Sequence, residues 1–217
     1  MFLGHFGLAL ASKRLEPRVS LATSVFAAQL ADTLWPILVL SGVERVAIAP
    51  GDTVVTPLRF ESYPYSHSLL SLLVLGGLVA GTHFFFRRNA RAAAVLLSLV
   101  VSHWFLDYLS HRPDMPLTPW AHSLFGLGLW NSLPLTLLAE AGLFAVGAGL
   151  ALRSTRAKDA IGRYGIAGFL VFLVLVYAAA VFGPPPPSVE ALGWTSLAAP
   201  VLLLPVLAWV DNHRAPR

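Results

Sequence analysis

The residues best equipped for chemistry in this chain are imidazoles and carboxylates set inside apolar sequence. The densest group is Ser102-His103-Trp104-Phe105-Leu106-Asp107-Tyr108-Leu109-Ser110-His111-Arg112-Pro113-Asp114. His103, Asp107 and His111 stand at i, i+4 and i+8. On a helix each step turns by about 40°, so the three share a face. An imidazole and a carboxylate one turn apart can hold one metal ion, as paired imidazoles do on the helix of zinc proteases. His103 and His111 would lie about 12 Å apart along the axis. That is too far for one ion, and it leaves His111 for a second ion or for substrate. For His111 and Asp114 a loop-capping ion pair with Arg112 is the competing reading. Pro113 disfavours helical geometry before it, so the helix should stop near Arg112.

Other segments offer matching polar faces. Gln29 and Asp32 are spaced i, i+3, with Trp35-Pro36 after them as a candidate kink. His67 and Ser71 repeat at i+4, and Ser132, Thr136 and Glu140 do the same over two turns. His5 lies in a short apolar run near the start. Any one such residue could be a hydrogen-bonded strut between helices. Several at one depth favour a binding site.

The elements that must position these groups are membrane spans. The 217 residues are 56% hydrophobic and only 12% charged. Soluble domains run nearer a quarter charged. Six stretches, approximately 20–41, 66–86, 91–111, 131–152, 163–183 and 190–210, approach the roughly 20 apolar residues that cross a hydrocarbon core of about 30 Å. A seventh, 2–16, is shorter. The expected fold is an all-α polytopic transmembrane bundle, one domain over 1–217, with six full spans and a short N-terminal helix. The absence of cysteine excludes disulfides, thiolate metal sites, a cysteine nucleophile and iron–sulfur clusters. Twelve of the 15 Lys and Arg residues fall on alternating ends of the spans. Only Arg45, Arg59 and Arg112 fall on the other side. The positive-inside rule places the twelve, with the C-terminus, in the cytoplasm and the N-terminus outside. The basic balance then reports topology, and no nucleic-acid partner is expected. Ala9-Leu10-Ala11-Ser12 is similar to a signal-peptide cleavage site, but Lys13 and Arg14 follow the apolar run where such signals carry charge before it, so a retained helix is expected.

With that topology His5, Asp32, His67, His103, Asp107, His111 and Glu140 all fall in the outer half of the bundle. Ionisable groups at such depth pair, face the interior or bind something. His83 falls near the cytoplasmic end beside Phe84–Phe86 and reads as an interface residue. His122 reads as a surface residue of the outer loop. Trp104, Trp120, Trp130 and Trp194 read as interfacial anchors. In the outer connection 42–65, the β-prone runs Val43–Ile48 and Thr53–Phe60 flank the turn signal Pro50-Gly51-Asp52 and suggest a hairpin-like flap. The proline run 184–187 reads as a stiff connector.

At these residues the chain resembles the YdjM-like family, described as LexA-binding, inner-membrane-associated, metal-dependent hydrolases. The counterparts of that family's motifs are Gly4-His5, Ala31-Asp32-Thr33, Ser66-His67-Ser68 and Ser102-His103 through Asp107, in the family's order and within roughly 1–115. The family's second acidic residue falls on Leu34, and its upstream His falls on Ser62. More narrowly, Tyr63-Pro64-Tyr65-Ser66-His67, His111-Arg112-Pro113-Asp114 and Gly128-Leu129-Trp130-Asn131-Ser132 are similar to stretches of uncharacterised bacterial membrane proteins.

These readings combine into one expectation: a bacterial inner-membrane protein in contact with the bilayer, with an outward-facing divalent metal site of His5, Asp32, His67, His103 and Asp107. Imidazole with carboxylate suits Zn, with Mn or Fe also compatible. Glu140 or Asp114 would be the general base, and His111 with Asn131 would meet substrate or a second metal. The substrate would be a lipid-like ester, phosphoester or amide. The LexA association of the family finds no support in the cytoplasmic loops. Three other readings stay open: a proton-coupled transporter using Asp32, His103 and Glu140, a haem protein with His67 and His103 as axial ligands, and a non-catalytic scaffold.

Overall fold

The computed structural model describes residues 1–217. Its helices are α1 (Leu3–Ala11), α2 (Leu21–Ala28), α3 (Leu30–Leu40), α4 (Pro64–His67), α5 (Leu69–Arg87), α6 (Ala90–Ser110), α7 (Leu133–Ser154), α8 (Ile166–Phe182, entered through a π-helical turn at Ile161–Gly165) and α9 (Val189–Asn212). Five of these are long and apolar enough to cross a membrane. The pair α2 and α3, bent by 53°, makes a sixth if it is one span. The chain is thus an all-α polytopic bundle. The starts of its helices are written in polar side chains. Ser20, Ser68, Asn89 and Ser188 each accept a backbone N–H from the first turn that follows, which satisfies donors that a helix start leaves free.

Two departures from the sequence reading concern positioning. The kink expected at Trp35-Pro36 lies instead at Gln29, between α2 and α3, and Pro36 sits inside α3. Trp104, expected at the lipid interface, is buried, and its indole donates to the Pro116 carbonyl at 2.9 Å. A ring this large costs little in the interior once its single N–H is satisfied.

The outer flap is an antiparallel hairpin of β1 (Arg45–Ile48) and β2 (Leu58–Ser62), pairing Ile48 with Leu58 and Arg45 with Ser62. Its second strand begins later than the Thr53–Phe60 run, and the loop between the strands is correspondingly longer. The 111–132 connection folds back over the end of α6, with Leu127 N–H on the Tyr108 carbonyl and Gly128 N–H on the His111 carbonyl. Two-residue strands β3 (Met115–Pro116) and β4 (Leu124–Phe125) pair within it. At the far end β5 (Thr155–Ala157) pairs with β6 (Arg214–Pro216).

The short helix α1 lies against α7. The contact depends on glycine: a Cβ on Gly147 would collide with the Gly7 carbonyl oxygen, and one on Gly7 would lie 2.7 Å from the Leu143 carbonyl oxygen. Small residues let helix backbones approach this closely within a membrane. The result is that α1, though too short to span, is held in the interior with His5 only 1% exposed.

Candidate metal centre

Four elements converge beneath the flap. α1 contributes His5, α3 contributes Asp32, the α4–α5 junction contributes His67, and α6 contributes His103 and Asp107. All but Asp32 are buried. Asp107 is the hub. Its Oδ1 lies 3.1 Å from His5 Nε2, and its Oδ2 lies 3.1 Å from His103 Nε2 and 3.8 Å from His67 Nε2. Asp32 Oδ1 lies 3.4 Å from His67 Nε2 and 3.7 Å from His103 Nε2. Two groups, His5–His103–Asp107 and Asp32–His67–His103, are each tight enough to hold one metal ion. The His5 and His103 rings stack in parallel at 3.8 Å. The amino nitrogen of Met1 also contacts Asp107 Oδ1.

The protons on these rings follow from their other nitrogens. The 53° bend leaves the Ala28 carbonyl at the end of α2, where His103 Nδ1 reaches it at 2.8 Å. A carbonyl only accepts, so the neutral ring carries its proton on Nδ1 and aims a lone pair from Nε2. His103 Nε2 is accordingly buried without a hydrogen-bond partner, although Asp107 Oδ2 is nearby. The same logic fixes His67. Glu44, 1% exposed, accepts the N–H groups of Tyr65 and Ser66 on Oε1, both at 2.8 Å, and the Ser66 hydroxyl on Oε2 at 2.6 Å. The carboxylate takes the only proton of Ser66. The serine oxygen must then accept from His67 Nδ1, 2.7 Å away, and His67 Nε2 is left as a lone pair facing both aspartates. Imidazoles whose outer nitrogens are anchored in this way are what metal sites use.

The other expected residues have definite places. His111 lies on the same face of α6, buried, with Nε2 at 3.9 Å from Asp107 Oδ1 and Nδ1 at 3.0 Å from Asp114 Oδ1. Asp114 is bonded to His111 Nδ1, while His111 Nε2 is the nitrogen near Asp107. Asp114 also accepts from the Tyr63 hydroxyl at 2.5 Å and pairs with Arg112, which also holds Asp52 of the flap at 2.6 Å. Burial, with Asp114 beside it, pushes the Tyr63 phenol well above the usual tyrosine range, so it stays a donor. Glu140 accepts the N–H groups of Phe2 at 2.9 Å and Gly4 at 2.7 Å, closing the start of α1. Asn131 sits in the exposed rim turn Leu129–Asn131, outside the cluster. His122 is exposed.

A cavity of about 190 Å³ opens onto the cluster, with Asp32, His67, Asp107, His111 and Glu140 on its polar side. Phe60, Trp130, Tyr177 and Val181 give it an apolar wall between the flap and α8. The His67 and His103 rings stand edge to face at 5.2 Å, which leaves no slot for a macrocycle between them. Glu44 and Ser66 carry no role in the sequence reading. A serine beside a candidate ligand was the available signal. Its carboxylate partner lies 22 residues upstream, and only the flap brings it near.

Comparison of the chain with family models, with curated proteins and with solved structures finds no match.

Proposed function

We propose that this protein is a membrane-embedded, metal-dependent hydrolase of the bacterial inner membrane, related to the YdjM-like family, acting on a lipid-derived ester, phosphoester or amide. The observation that carries the proposal is the convergence of imidazoles and carboxylates in two groups each tight enough for one ion. His103 and His67 turn their Nε2 atoms to two aspartates while their Nδ1 atoms are held by the Ala28 carbonyl and the Ser66 hydroxyl, an arrangement that suits a divalent cation. Zn suits this mixture of imidazole and carboxylate best. Asp32, His67, His103 and Asp107 would hold the ion, with His5 bracing Asp107 or completing the set. A bound cation of this kind acidifies a water molecule and polarises a carbonyl or phosphoryl oxygen.

The chain's own residues supply the rest. Glu140 lines the same cavity, its two oxygens oriented by the N–H groups of Phe2 and Gly4, and is placed to act as the general base on a water. His111, oriented by Asp114 and Tyr63, faces the position where a substrate oxygen would lie. The wall of Phe60, Trp130 and Val181 accommodates hydrocarbon, so an amphipathic substrate can place its polar link beside the aspartates and its chain along α8. Positive-inside counting favours a site on the periplasmic side.

The test is metal analysis by mass spectrometry of protein purified from a metal-supplemented culture, followed by lipid hydrolysis assays on the loaded protein. Stoichiometric metal in the wild type, lost in His103→Ala and Asp107→Asn, with metal-dependent lipid cleavage, is the expected result. Full metal content in a folded His103→Ala protein would overturn the metal centre. Tight metal binding without cleavage of any lipid class would overturn the hydrolase assignment alone.

A further inference from the structure

A second cavity, about 510 Å³, lies at the opposite end of the bundle. Arg18, Ser20, Thr23, His83, Arg87 and Asn89 line it. Asn89, which caps the start of α6, precedes His103 by 14 residues, or about 21 Å of helix. Between the two cavities the interior is apolar, built from residues such as Val25, Leu72, Leu96 and Leu99. The second cavity therefore shares no side chain with the metal centre and is a separate feature.

Its chemistry is one-sided. Two guanidiniums and an imidazole face it with hydroxyl and amide groups, and no carboxylate is in its wall. Arg18 and Arg87 form no ion pair within the chain, whereas the buried Lys13 nearby is matched by Asp211 at 3.0 Å. Glu16, the neighbouring acid, is buried and takes the Asn89 amide at 3.4 Å. Ser20 and Thr23, both in the wall, hydrogen-bond each other at 2.7 Å. Forked guanidiniums with hydroxyls suit a tetrahedral oxyanion, and arginine reads phosphate in two-point geometry.

Beside the cavity α5 turns three large rings outward. Phe84, Phe85 and Phe86 are 42%, 64% and 74% exposed, on the residues that follow His83. Arg88 stacks over Phe84 and Phe85. Exposed rings adjoining a basic, polar hollow at a span end match the level where acyl chains give way to headgroups.

We infer that this cavity binds a phosphate group, and that its source is the headgroup of an anionic phospholipid whose chains lie along the exposed face of α5. The site rests on neither the metal centre nor the hydrolase reading. The test reconstitutes the full chain in phosphatidylcholine nanodiscs doped with phosphatidylglycerol and counts retained lipids by native mass spectrometry. A parallel arm titrates inorganic phosphate into phosphatidylcholine discs and follows phosphorus NMR. Preferential retention of phosphatidylglycerol is expected, weakened about a hundredfold in Arg18→Gln/Arg87→Gln, since each charge-assisted hydrogen bond removed costs about tenfold in affinity. Arg156→Gln/Arg163→Gln removes the same charge from exposed positions outside the cavity and should leave retention unchanged. If the glutamine pair does not fold, Arg18→Lys/Arg87→Lys keeps the charge but loses the fork, and an intermediate loss is expected. Binding of inorganic phosphate without lipid retention would keep the phosphate site and overturn its lipid source. Equal losses in the two glutamine pairs, or binding of neither probe, would overturn the site.

Discussion

Replacing Glu44 by glutamine should weaken metal binding at the proposed centre without touching a proposed ligand. Glu44 Oε1 accepts two backbone N–H groups, from Tyr65 and Ser66. The amide oxygen of a glutamine must occupy that position, because an amide NH2 there would face two donors. The NH2 then replaces Oε2 and points at the Ser66 hydroxyl. Ser66 becomes an acceptor on that side and turns its own proton to His67 Nδ1, 2.7 Å away. His67 has to move its proton to Nε2, which now presents N–H instead of a lone pair to Asp32. The shape of the site is unchanged. Losing the charge-assisted bonds costs about 1–3 kcal/mol, partly offset because a charge is no longer buried. Loss of an anchoring partner typically lowers metal affinity about 10- to 100-fold, or about 1.4–2.7 kcal/mol. Competition against a chromophoric zinc chelator in detergent reads the affinity, and thermal unfolding checks the fold. Ser66→Ala cuts the same link, so the double variant should be little worse than either single one. A folded Glu44→Gln protein with wild-type affinity would refute the proton assignment on His67 and the relay built on it.

Stripping the metal with a chelator should lower the unfolding temperature reversibly. At free metal a hundredfold above the dissociation constant, the bound ion contributes about 2.7 kcal/mol, and His103→Ala should show no such response in a calorimetric scan. Gly147→Val should push α1 away from α7, because its side chain would enter the Gly7 carbonyl. A loss of about 1–3 kcal/mol, with weakened metal binding through His5, is expected in the same assays. Asp159 is held below the ordinary aspartate range by the Gly162 N–H and by His213 at 2.6 Å. A depressed carboxylate stabilises the folded form above its unfolded pKa of about 3.9 and loses that contribution as pH falls through its folded value. Protection factors of the β5 and β6 amides, relative to intrinsic exchange, should therefore fall below about pH 4, and Asp159→Asn should show the reduced protection already at neutral pH.

Much of the architecture was legible because the bilayer demands it. Apolar length located the spans. The i, i+4 spacing of His103 and Asp107 put both on one face of α6, and common depth brought His5, Asp32, His67, His111 and Glu140 to the same end. Long-range geometry was not legible. The bend fell at Gln29 although Pro36 was the visible breaker. Neighbouring helices tolerate a proline in a membrane helix, and no residue at Gln29 announces a turn of 53°. Glu44 was invisible as a partner because hairpin register, not local pattern, brings it to Ser66. Trp104 was misplaced because its partner, the Pro116 carbonyl, belongs to a loop that folds back. Asn131 stands in a motif beside Trp130, yet only Trp130 reaches the cavity.

The brevity of α1 bears on biogenesis. Nine residues rise about 13 Å, less than half the thickness of a bilayer core, so the insertion machinery has no reason to release this segment as an independent span. Its berth is α7, which the ribosome has not yet made when α1 emerges. Asp32, His67, His103 and Asp107 all lie on elements up to α6, while the close seat of α1 against Gly147 needs α7. Seating His5 in the cluster therefore draws on α7, a helix that follows every other contributor in the chain.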